Sequence, residues 1–362
     1  MAASSSYALP RVGQEAAWLR SPSWDLTFVS LSAVLVPLPY LIYQLLLALG
    51  LGTGNSASVV DLVVTLFIGG PHMYATFTRT IADPAFRLHH RRFVASSILI
   101  PIGVVVVGYH AFPVLLTVFF FWASVHVLHQ ITFLVECYNR RGARPLSLSD
   151  RLIEYAVVLT SPYPIACYRL VNGTFEISGV TIRLPEPLAR PELVYLVFAT
   201  FGAALVLFLA KTARELARGQ VHGPKLLLIG LTVLASFFLP ALDRLDAAFQ
   251  GFNAWHSFQY LGLTWYANRL AAERAEATSG LRRAISGPND GWRFYGLLVL
   301  CTVAAGAVVG VLLLLRQPLG LSPEQPYYLT ILSFLLVHYY HDHVLFTRPE
   351  AIVAGEPEPA AA

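Results

Sequence analysis

"YYLTILSFLLVHYYHDHVLF", residues 327–346 of the 362-residue chain, decides how the whole sequence reads. Its first ten residues carry no charge, and its length matches a helix that crosses a bilayer core. Its second half nevertheless holds His338, His341, Asp342 and His343. Ionisable groups in lipid are costly and normally face a polar interior with a partner. The stretch therefore predicts a membrane helix with one chemically loaded face.

Outward from it, the same apolar length recurs. The chain is 56% hydrophobic and 13% charged, with mean hydropathy +0.59, whereas a soluble domain carries about a quarter charged residues. Ten spans are expected, at 27–50, 59–79, 93–110, 112–138, 152–171, 191–212, 224–241, 250–268, 293–316 and 326–346. The fold class is all-α: a polytopic membrane protein. Breaks fall at Pro, Gly and charge clusters such as "ADPAFRLHHRR" (82–92) and "RELARGQVHGPK" (214–225). "NGTFEISGVTIRLPEP" (172–187) alternates and reads as a small hairpin outside the membrane.

The charges orient these spans. All but five of the 25 Lys and Arg fall in segments on one side of the ten-span scheme, the five being Arg169, Arg183, Arg190, Arg244 and Arg316. The positive-inside rule then puts both termini in the cytoplasm. Residues 1–26 form a cytoplasmic segment, 27–348 a single transmembrane domain and 349–362 a disordered tail. The first apolar run is too long for a signal-peptide core, so a retained helix in a bacterial inner (plasma) membrane is expected. Basic residues spaced between apolar segments read as topology rather than as a nucleic-acid face, despite a pI near 9.0. No internal repeat points to an inverted-repeat transporter. Cys137, Cys167 and Cys301 lack CxxC spacing and read as packing residues.

Seven of the eleven histidines fall within span cores, all on even-numbered ones: His72, His126, His129, His256, His338, His341 and His343; His110 stands at the outer end of the third span. Depth follows from counting forward to the next basic residue: 7 residues from His72 to Arg79, 11 from His129 to Arg140, 13 from His256 to Arg269 and 7 from His341 to Arg348. At about 1.5 Å per residue these are roughly 10–20 Å, so four helices present imidazole at similar depth. His126 and His129 share a face; His338, His341 and Asp342 share an arc, from which His343 falls about 140° away. A lone histidine on an apolar helix is usually structural. Several at matched depth favour a cation, because neutral imidazole is the commonest nitrogen ligand and one ion compensates many such groups.

The expected ligands are His72, His126, His129, His256, His338 and His341, with Asp342 as a terminal or bridging carboxylate. A carboxylate in the set suits iron, as one or two ions, better than Cu(I); haem, copper or zinc are the alternatives. Gln130, Gln259 and Tyr340 are placed to orient the rings, and Tyr260 to act beside Asp342. Arg79 either anchors a substrate headgroup or is a topogenic charge. Glu136 either completes the site or pairs with Arg79 or Arg140, and the place of His343 is open.

"HVLHQ" (126–130) and "HYYHDH" (338–343) resemble, in style, the histidine-rich membrane non-haem iron oxygenases: desaturases, fatty-acid and sterol hydroxylases, and alkane hydroxylases. Those families carry HxxHH boxes, which this chain lacks. "GGPH" (69–72) is similar to the G-x-P-H element of the Brp/Blh membrane carotene dioxygenases, in which four membrane histidines are thought to hold iron. The resemblance implies an oxygenase or hydroxylase acting on a lipid or isoprenoid in the bilayer, with electrons from a separate donor protein. Two other functions fit the same histidines: a haem-binding electron-transfer protein, and a metal or proton transporter.

Overall fold

The computed structural model describes residues 17–142, 145–177, 179–274, 280–349 and 352–353. Residues 1–16 of the expected N-terminal segment and most of the expected tail lie outside the described residues. Eleven main helices follow: α1 (Pro22–Ala48), α2 (Thr53–Arg79), α3 (Arg91–His110), α4 (Phe112–Arg141), α5 (Leu148–Thr160), α6 (Tyr163–Val171), α7 (Pro191–Ala217), α8 (Gly223–Ala241), α9 (Leu245–Glu273), α10 (Gly291–Leu315) and α11 (Gln325–Leu345). Between α6 and α7 the expected hairpin forms, with β1 (Glu176–Ile177) antiparallel to β2 (Val180–Thr181). The chain is an all-α polytopic membrane protein. Among the described residues, seven helices (α1 to α4, α7, α8 and α10) are long and apolar enough to cross a membrane.

The other three expected spans depart from that pattern for visible reasons. The fifth is two helices, α5 and α6, broken at Ser161–Pro162 where proline has no N–H to continue the ladder. In α9 and α11 the polar side chains lower the hydropathy, and they point inward. Ser257, Gln259 and Asn268 of α9 and His338, His341 and Asp342 of α11 are all fully buried. A helix ringed by other helices needs little lipid-facing apolar surface, and α9 packs against α1, α2 and the hairpin.

Proline also shapes α2 just before the first histidine. Residues Thr65–Gly69 form a π-turn, closed by Gly70 N–H on the Thr65 carbonyl. Pro71 has no N–H to give to the Phe67 carbonyl, and Tyr295 Oη of α10 donates to that carbonyl at 2.6 Å instead. In lipid every backbone group needs such a partner. Glycine permits the close approach here: a Cβ on Gly70 would stand 2.3 Å from Thr302 of α10.

Side-chain contacts sort the helix ends into two groups. At one end Arg141 donates to the Leu19 carbonyl at 3.0 Å, Lys225 to Asn139 at 2.8 Å and Arg282 to Asp83 at 2.6 Å. Glu154, 1% exposed, bridges Lys211 at 2.9 Å and Lys225 at 2.6 Å. At the other end Arg169 holds the Pro240 carbonyl at 3.2 Å, and Gln325 holds the Gly108 carbonyl at 2.8 Å. The basic loops thus gather at a single end of the bundle.

Candidate metal centre

Four imidazoles from four helices meet at the middle of the bundle. His72 of α2, His126 of α4, His256 of α9 and His338 of α11 form a closed ring of edge-to-face contacts. Ring centroids are 5.2 Å apart for His72–His256, 4.9 Å for His256–His126, 5.0 Å for His126–His338 and 4.7 Å for His338–His72. All four are buried. Asp342, one turn beyond His338 and fully buried, adds a carboxylate: Oδ2 lies 3.5 Å from His338 Nε2 and 3.8 Å from His126 Nε2.

The hydrogen bonds around this ring fix which atoms face inward. His72 Nδ1 bonds the Gly69 carbonyl, which only an Nδ1–H can do, so Nε2 carries the lone pair. Thr76 Oγ1 donates to Asp342 Oδ1 at 2.8 Å, and Tyr260 Oη donates to the same oxygen at 2.6 Å. As a carboxylate Asp342 only accepts, so Thr76 spends its hydrogen there and is left to accept from His338 Nδ1–H at 2.5 Å. His338 Nε2 is thereby a lone pair as well. Gln130 Nε2 donates to the His256 carbonyl at 3.2 Å and to Gln259 Oε1 at 3.1 Å, and Gln259 donates to the Val29 carbonyl at 2.6 Å. This chain ties α4, α9 and α1 at the level of the ring.

What remains unpartnered is the signature of the site. His72 Nε2, His126 Nε2, both nitrogens of His256, His338 Nε2 and Asp342 Oδ2 are buried without a hydrogen-bond partner. Polar atoms left unpaired in an apolar interior are costly, and a cation among their lone pairs would compensate them. One potential ligand atom each from His72, His256 and His338 lies within 4.8 Å of the others, and the same holds for His126, His338 and Asp342. Ligands on opposite sides of one ion at about 2.1 Å stand about 4 Å apart, so a small contraction closes either set on a metal. Nitrogen with one carboxylate is a donor set suited to iron or manganese.

The other expected site residues are distributed around this centre or away from it. His341 is fully buried but turned aside: Nδ1 meets Thr80 Oγ1 at 2.9 Å and the ring lies 5.3 Å from that of Phe93. About 100° separates successive helix positions, and the inward direction of α11 is set by the i, i+4 pair His338 and Asp342, leaving His341 outside. His129 is only half-buried; its ring stands 5.6 Å from His343 and 5.2 Å from Phe346, and exposed His343 is not in the ring either. Tyr340 stacks on Phe93 at 4.2 Å and reaches Ser96 at 3.0 Å, touching none of the four histidines that form the ring. Arg79 ends α2, one turn past Thr76. Glu136 is an ion-pair partner: it binds Arg151, lies 3.7 Å from Arg140 and accepts from Tyr155 at 2.8 Å.

Three contributors carry no histidine-like signal in the sequence. Thr76 is the hub of the Asp342 network; its position four residues after His72 is the one available clue. Tyr339 stacks on His126 with centroids 4.0 Å apart, covering that ring. Gly69 supplies the carbonyl that orients His72, and its missing side chain admits Asn253 Nδ2 to within 2.9 Å of where a Cβ would be. Fold and site define an all-α polytopic membrane protein with a buried histidine–carboxylate cluster able to hold a metal ion. No family model, no curated protein and no solved structure matches the chain.

Proposed function

We propose that the protein is an integral-membrane metalloenzyme, a non-haem iron oxygenase or hydroxylase of a lipid or isoprenoid. In this reading ten helical segments span a bacterial inner membrane with both termini and the basic end in the cytoplasm. One observation carries it: the unpartnered nitrogens of His72, His126, His256 and His338 converge with Asp342 Oδ2 where an apolar cavity ends. The likeness of "GGPH" to the membrane carotene dioxygenases supports it, since His72 is that motif's histidine and four histidines make the ring.

Iron bound there supplies oxygen activation. The chain's own residues do the rest. His72 and His338 present Nε2 because their Nδ1 atoms are engaged by Gly69 and Thr76. Tyr260 and Thr76 hold the Asp342 carboxylate from behind and keep two hydroxyl protons beside it. Burial of the whole set excludes bulk water. Imidazole rings whose centroids are 4.7–5.2 Å apart leave no slot for a macrocycle between them, which favours a bare ion over haem. An external protein delivers electrons where the chemistry needs them.

The test is oxygen uptake by iron-loaded protein in nanodiscs made from bacterial lipid extract, with a chemical reductant. Oxygen consumption with an oxygenated lipid product, both lost in His256→Ala, supports the proposal. An iron-loaded protein that takes up no oxygen with any membrane lipid fraction contradicts it.

A further inference from the structure

A cavity of about 220 Å³ extends from His72 and His256 to the hairpin at the less basic end. One side of it is apolar, with Phe120, Phe249, Leu332 and Leu335. The other is a polar seam between α2 and α9. Gln250 Nε2 donates to Asp61 Oδ1 at 2.5 Å, Asn253 Nδ2 donates to Gln250 Oε1 at 3.1 Å, and Ser257 Oγ donates to Asn253 Oδ1 at 3.0 Å. Asp61, Gln250 and Asn253 all line the cavity. Each amide has given one hydrogen to its neighbour and keeps a second, and Asp61 Oδ2 takes part in neither bond.

We propose that this cavity binds a long-chain alcohol, its hydroxyl held at Asp61, Gln250 and Asn253 and its apolar body lying along the phenylalanine side toward the histidines. The seam offers both a carboxylate acceptor and amide donors, which a hydroxyl satisfies at once because it donates and accepts. An anionic headgroup meets Asp61 and is repelled, and an alkane leaves the amides unpaired. Gln250 precedes His256 by six residues and Asp61 precedes His72 by eleven. At about 1.5 Å per residue the hydroxyl therefore sits roughly 9–16 Å from the carbon next to the metal centre. This deepens the oxygenase reading and rests on it for the chemistry, though not for the binding.

The experiment uses the full-length protein in nanodiscs, stripped of metal with a chelator. Binding of tritiated 1-hexadecanol is followed by scintillation proximity, with unlabelled 1-hexadecanol, hexadecane and palmitate as competitors. The alcohol is expected to compete about tenfold better than either analogue. In Gln250→Leu/Asn253→Leu the alcohol's advantage over the alkane should shrink severalfold, with Asp61 left as the hydroxyl's one partner. Equal competition by all three on the wild type, or a preference unchanged in the double variant, overturns the proposal and leaves the seam as interhelical glue. If the double variant does not fold, the wild-type competition decides alone. The assay contains no metal, so its outcome is independent of whether the histidines hold iron.

Discussion

Asp342 Oδ2 stands 3.5 Å from His338 Nε2, one helical turn back on α11, and neither atom has a hydrogen-bond partner. The opposite edges of both side chains are anchored to one hydroxyl, that of Thr76. Thr76 therefore sets the tautomer of His338 and the orientation of the carboxylate together. Groups that orient a ligand from behind are worth about 10–100-fold in metal affinity. Thr76→Val, which keeps the shape and deletes the hydroxyl, should weaken iron binding by about that factor, and Thr76→Ser should restore it. Competition with a chelator of known affinity reads the difference; equal affinity in Val and Thr forms would remove Thr76 from the site.

Buried charge at the basic end makes a separate prediction about stability. Glu154 is 1% exposed and faces two ammonium groups, Lys211 and Lys225. Glu154→Ala leaves both buried cations without their shared partner and should cost about 3–5 kcal/mol. The more exposed pair Arg269–Glu273 should cost about 0–1 kcal/mol when Glu273 is replaced by Ala. Thermal unfolding in detergent, with the two variants side by side, shows whether they separate.

The loop before α8 gives a pH dependence of definite sign. His222 caps α8, Nδ1 accepting from Lys225 N–H at 3.4 Å. Burial first, and then the Lys225 ammonium, hold its imidazole down to about 4 from the ordinary 6.5. Above 6.5 the ring is neutral whether the chain is folded or not. Below it the unfolded chain takes up the proton first, so stability falls as pH drops from 6.5 toward 4. His222→Asn keeps a capping side chain without a titration, and its stability should vary less over that window. A variant that loses as much stability on acidification as the wild type would show that His222 is not the group responsible.

Two glycines contrast close packing with open space. A Cβ on Gly251 of α9 would stand 1.8 Å from the Val36 carbonyl of α1, whereas one on Gly306 of α10 meets nothing within 4 Å. Gly251→Ala should therefore drive α1 off α9 and lower folded yield, and Gly306→Ala should leave it unchanged or raise it. Size-exclusion profiles of the two variants check this; a well-folded Gly251→Ala protein would contradict the α1–α9 contact.

Much of the fold was legible because lipid imposes length and charge rules on a sequence. The apolar runs behind α1 to α4, α7, α8 and α10 are visible by composition. The broken α5–α6 segment and the polar α9 are less so, since a central helix owes its place to neighbours rather than to its own hydropathy. In the site, matched depth picks out the four helices whose His72, His126, His256 and His338 do meet. Depth alone does not separate His126 from His129, or His338 from His341. Which of two residues three apart turns inward depends on helix rotation, and that is set by contacts such as Tyr339 on His126 and Thr80 on His341. Thr76 and Gly69 act through one hydroxyl and one carbonyl, and no residue pattern announces such roles.

The most direct measurement is metal content and X-ray absorption of the purified protein, for the wild type and for His126→Ala, His338→Ala and His129→Ala. A four-histidine centre requires bound iron with several imidazole ligands, lost in His126→Ala and His338→Ala and retained in His129→Ala, whose ring lies against His343 and Phe346 instead. Iron that survives both of the first two substitutions, or that disappears only with His129, would contradict it.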